Sequence, residues 1–118
     1  MLKVSTSFSP IRMVAGSTEP VFLNVCVKNA GENTVAATVF VKVPYSLGFD
    51  RIGLDRDTRR RIAAIKPGAE KVIPIMIYGK TTIKPGNYPI GIKVQMHSDR
   101  YDKADGESMY ETFLRVVE

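Results

Sequence analysis

Few residues in this sequence have side chains suited to catalysis or metal binding. Cys26 is the only cysteine and His97 the only histidine among 118 residues. A transition-metal centre draws on several His or Cys ligands, so one of each excludes the usual mononuclear site. A cysteine and a histidine could in principle form a nucleophile–base pair. Cys26, however, lies inside the run VFLNVCVKN and lacks a nucleophile-elbow pattern such as G-x-S-x-G. His97 reads as the end of a strand, and no glycine-rich phosphate loop occurs. In SDRYDKADGE, Asp99, Asp102, Asp105 and Glu107 gather around Gly106. Oxygen-rich loops can hold calcium, but the spacing is not D-x-D-x-D-G, and Arg100 and Lys103 offset the charge. A solvated turn is the expectation there. Neither a catalytic residue nor a cofactor nor a metal is expected.

The basic side chains form a second constellation. Lysine and arginine number 17 against 12 acidic residues, for a net charge of +5. The most basic stretch is 51–66, where Arg56, Arg59, Arg60 and Arg61 are candidate contacts to a polyanion. Nucleic-acid modules commonly add aromatic platforms on which bases stack. Only Tyr45 and Phe49 lie near, and Asp50, Asp55 and Asp57 dilute the run. The expected role is a solvated connection, with polyanion or nucleic-acid binding as the alternative function.

The elements that must position these residues are strands. In PVFLNVCVKNAGENTVAATVFVKVP, Val21, Leu23, Val25 and Val27 alternate with Phe22, Asn24, Cys26 and Lys28. Beyond NAGEN, Val35, Ala37, Val39, Val41 and Val43 alternate with Ala36, Thr38, Phe40 and Lys42. Residues two apart share a strand face, so each run offers an aliphatic face to a core. The NAGEN turn, with Asn29, Gly31 and Asn33, suits positive φ. LKVSTSF predicts an edge strand interrupted by Pro10, with IRMVA continuing it. RRIAAI predicts a short strand, with a helical turn within Asp55–Ala64 as the alternative. In KVIPIMIY, Pro74 predicts an edge or a bulge. YPIGIKVQM and MYETFLRVV complete the set. About seven strands with turns between them predict an all-β, immunoglobulin-like antiparallel sandwich in a single domain over 1–118. Val25, Val39, Ile75 and Ile92 are the expected core.

The composition is 44% hydrophobic and 25% charged, which suits a folded globular chain. No run approaches the roughly 20 apolar residues of a spanning helix, so no membrane partner is expected. MLKVSTSFSP lacks the apolar run of a signal peptide, and a lone cysteine suits a reducing compartment. A cytoplasmic location is expected, with a domain excised from an exported protein as the alternative.

The pattern of turns resembles the CARDB-type, immunoglobulin-like domains of bacterial and archaeal proteins. The residues carrying the resemblance are Gly16, VFLNVCVKNAG, VFVKVP with Pro44, Ile65-Lys66-Pro67-Gly68 and Pro85-Gly86-Asn87-Tyr88. The resemblance implies a noncatalytic spacer or binding module.

With the aliphatic sets inward, Phe22, Cys26, Phe40, Met109 and Phe113 point outward. In an immunoglobulin-like order, the second central strand and the last two strands share a sheet. Phe40 and Phe113 would then stand on its outer face among Lys42, Lys93 and Arg115, as a candidate protein interface. The expected function is a noncatalytic protein-binding or assembly module that engages a protein partner or a second copy of itself.

Overall fold

Runs such as VFLNVCV and VAATVFV put β-branched side chains at alternate positions, which favours an extended backbone with one buried face. The computed structural model describes residues 2–50, 55–97 and 106–118. It contains nine strands: β1 (Leu2–Ser9), β2 (Arg12–Val14), β3 (Val21–Asn29), β4 (Val35–Lys42), β5 (Leu47–Gly48), β6 (Asp57–Ile65), β7 (Glu70–Gly79), β8 (Gly86–His97) and β9 (Gly106–Val117). They form a four-stranded sheet ordered β1-β3-β7-β5 and a five-stranded sheet ordered β2-β9-β8-β4-β6. The count exceeds the expected seven because the first segment divides at Pro10 and a two-residue strand forms at Leu47–Gly48.

β1 and β2 lie in different sheets, and β2 runs parallel to β9. β3 and β4 also lie in different sheets, so the NAGEN segment crosses between layers. No residue of that turn has positive φ, contrary to the expectation; its fold depends on a side chain instead. Asn29 is fully buried, and its amide nitrogen donates to the Asn33 carbonyl at 2.7 Å and the Ile65 carbonyl at 2.8 Å. Its side-chain oxygen accepts from the Gly31 N–H at 2.9 Å. The Asn29 backbone also meets the Pro67-Gly68 turn, where Gly68 takes φ +80 and donates to the Asn29 carbonyl. Asn29→Ala should therefore cost on the order of 2 kcal/mol, because buried polar partners lose their bonds. Denaturant unfolding checks this.

Residues 57–65 form a strand rather than a helical turn, since Ile62 and Ile65 must reach the core from the edge beside β4. Pro74 lies opposite Asn24 of β3, and β5 pairs with β7 only at Tyr78 and Gly79. At the level of Pro74, β7 is thus an edge, as the proline requires.

The core lies between the sheets. Val25, Val39, Ile75 and Ile92 are all buried, which fixes the register on both layers. Val39→Ala should cost about 1–3 kcal/mol, measured by the shift of the unfolding midpoint.

Candidate protein-interaction face

The alternation that buries Val39, Val41, Ile92 and Val94 turns their neighbours outward on the five-stranded sheet. Two cross-strand rows matter most. One runs Arg59, Phe40, Lys93, Met109; the next runs Asp57, Lys42, Gly91, Glu111. Gly91 supplies no side chain, and a Cβ there would meet nothing within 4 Å. The result is a hollow of about 300 Å³ floored at Gly91 and bounded by Phe40, Lys42, Lys93, Asp57 and Met109. The Lys93 ammonium lies 4.5 Å from the Phe40 ring centroid, and Phe40 is half-buried beneath it. The hollow therefore combines an aromatic wall, a flexible thioether and two ammonium groups. This arrangement can seat an apolar side chain and contact an acidic or carbonyl oxygen beside it. It offers no nucleophile.

Met109 is 78% exposed and Phe113 55% exposed, both on the outer side of β9. Phe113 lies opposite Pro89, and Arg115 opposite Asn87 and beside Arg12 of β2. Phe40, Lys42 and Lys93 are brought together at the hollow; Phe113 and Arg115 are not. Phe113 is two strands and four residues away from Phe40, about 16 Å by strand spacing and rise. Met109 is the exposed apolar side chain that borders Phe40 and Lys93.

The other side chains singled out in the sequence are dispersed. Cys26 is on the outer side of the four-stranded sheet, with its sulfur 3.6 Å from a Glu70 oxygen. His97 closes β8 in the opposite layer and is buried, with Nε2 2.9 Å from the Thr38 hydroxyl. No Cys–His pair is formed. Arg59 and Arg61 lie on the outer side of β6, whereas Arg60 is on the other side and donates to the Thr58 hydroxyl at 2.7 Å. Arg56 precedes the strand and stacks over Tyr45 at 5.3 Å, a ring that Lys80 also covers. The four arginines thus share no face. Asp99, Asp102 and Asp105 lie outside the described residues; Glu107 accepts a hydrogen bond from Gln95 at 3.2 Å. Among the described residues no group of His, Cys, Asp and Glu could hold a metal ion. No helix is long and apolar enough to cross a membrane. A chelator should leave the melting temperature unchanged; a drop of several degrees would contradict this.

Two features escaped the sequence reading. The hollow depends on Gly91 lying between Lys42 and Glu111 on neighbouring strands, a register that only the pairing reveals. The four-stranded sheet also carries outward apolar residues: Phe22 opposite Met76 and Cys26 opposite Val72, with Pro74 between. The period-two alternation of β7 placed Pro74 and Met76 on the outer side and could have revealed this patch.

No family model matches the sequence, and no curated protein matches it. Solved structures do. One is self-complemented MyfA, the major subunit of Myf fimbriae from Yersinia enterocolitica, in complex with galactose, at 12% identity and TM-score 0.58. That match covers 98% of this chain and 99% of the other. The ASH/PapD-like domain of human CEP192 matches at 11% identity and TM-score 0.55, covering 99% and 85%. AvmM, which catalyses macrocyclization in alchivemycin A biosynthesis, matches at 10% identity and TM-score 0.58, covering 99% and 89%. The shared fold is an immunoglobulin-like β-sandwich. At these identities the likeness extends to fold alone, and the same fold carries an enzyme as well as structural domains.

Proposed function

We propose that this chain is a noncatalytic binding or assembly module, of the kind CARDB-type domains provide, that engages a protein through the outer face of its five-stranded sheet. The observation carrying this reading is the hollow at Gly91, where Phe40, Lys93 and Met109 converge, with Phe113 exposed further along β9. A concave apolar surface rimmed by charge is the usual anatomy of a small protein contact. The scarcity of catalytic side chains supports a noncatalytic role, and the lone cysteine supports a cytoplasmic one. Arg56, Arg59, Arg60 and Arg61 point in separate directions, which disfavours a continuous track for a nucleic-acid backbone.

The test compares binding by the wild type with Gly91→Val, Lys93→Glu and Val72→Asp. Gly91→Val fills the hollow without a clash, so it should abolish contact while leaving the unfolding midpoint in place. Lys93→Glu should weaken contact, and Val72→Asp, on the other layer, should not. Affinity should change little as salt is raised. Steep loss with salt would favour the polyanion reading, and loss of binding only in Val72→Asp would move the interface to the four-stranded sheet.

A further inference from the structure

Two strand edges on one flank of the sandwich are bare among the described residues. β8 borders β9 along one side, but β2 covers its other side only at Arg115–Val117. Gly106 to Leu114 therefore present unpaired backbone groups. β1 ends the facing sheet on the same flank. Between the two edges opens an apolar cleft of about 210 Å³ lined by Leu2, Val4, Val94, Met96, Ser108 and Tyr110.

The opposite flank is guarded. β6 carries Arg60 on its inner side, opposite buried Val39, and its pairing breaks register between Val35 and Ala37. β7 carries Pro74. Inward charges, bulges and prolines are the devices by which edge strands avoid pairing with other chains. The bare stretch of β9 has none of them. It contains no proline, lysine or arginine, its pairing with β8 is continuous, and its inner-side residues are Gly106, Ser108, Tyr110, Thr112 and Leu114.

We propose that β9 pairs antiparallel with β9 of a second copy of this chain, about a two-fold axis at Tyr110, with the two apolar clefts brought face to face. The bare stretch extends equally on both sides of Tyr110, so an axis there uses all of it. Ser108 then faces Thr112 of the second copy, Met109 faces Glu111, and Glu107 faces Phe113. No like charges stand directly opposite, and both exposed apolar side chains of β9 gain neighbours. The contact is isologous, as a closed dimer requires. A single extended peptide would cover one cleft and leave nothing to match the symmetry. The inference rests on the reading of the chain as an assembly module, but it places self-association at the edge rather than in the hollow.

Sedimentation equilibrium and directed cross-linking test it. The wild type should dimerise. Ser108→Lys, which places a cation on the inner side of β9 at an exposed position, should weaken dimerisation about thirtyfold or more. In a Cys26→Ser background, Tyr110→Cys should form a disulfide-linked dimer on air oxidation. Directly opposed residues of an antiparallel pair lie about 4.5–5.5 Å apart, within disulfide range. Ser108→Cys should not cross-link, because its counterpart lies four residues further along. Gly91→Val should leave the dimer intact. A wild type that stays monomeric at high concentration overturns the proposal, as does cross-linking at 108 but not 110. A monomer that still binds a partner through the hollow overturns the edge contact alone, and a dimer broken by Gly91→Val assigns self-association to the hollow.

Discussion

Phe113→Asp should weaken association by about 2 kcal/mol or more while leaving the fold intact. Phe113 is 55% exposed on the outer side of β9, so little of its area contributes to folding. Burying the rest at a contact would gain much of the roughly 1.5–3 kcal/mol typical of a large apolar side chain. Aspartate forfeits that gain and adds an anion two residues from Glu111 on the same side of β9. Both readouts are needed: sedimentation for association, denaturant unfolding for the fold. A stability loss beyond about 1 kcal/mol would mean that Phe113 packs within its own molecule. Unchanged association would remove it from the contact.

Leu23→Ala should cost about 2–5 kcal/mol of folding stability. Leu23 is fully buried at the centre of β3, opposite Phe8 of β1 and Ile75 of β7. Truncation removes its transfer free energy and leaves a cavity that two hydrogen-bonded neighbours keep the backbone from closing. The magnitude compares with the total stability of a small domain, so the variant should melt well below the wild type. A loss below about 1 kcal/mol would mean that this part of the sandwich collapses around the gap.

The layers of the fold were legible in the sequence because burial follows a period of two. Val25, Val39, Ile75 and Ile92 each sit in an alternating run, and each is buried. The grouping of β4, β8 and β9 in one sheet followed from an immunoglobulin-like order, and the pairing agrees. The sheet change at Pro10 and the pairing of β5 were hidden, since a three-residue and a two-residue strand carry too little periodicity. Asn29 read as a turn residue, whereas its role is to bond carbonyls from Asn33 and from distant Ile65. The candidate face was legible in part. Alternation turned Phe40, Lys42 and Lys93 outward, but their distance from Phe113 depends on register across three strands. The hollow was invisible because its defining residue, Gly91, contributes an absence.

Methionine oxidation tests the outer face of the five-stranded sheet most directly as the working surface. Met109 is 78% exposed on that face, and Met76 is 45% exposed on the opposite one. Peroxide converts exposed thioethers to sulfoxides, and a contact that excludes solvent slows the reaction. Oxidation should be followed at both sites by mass spectrometry, at concentrations below and above the association midpoint. Association should slow oxidation of Met109 severalfold and leave Met76 unchanged; protection of Met76 with Met109 unprotected would contradict the account.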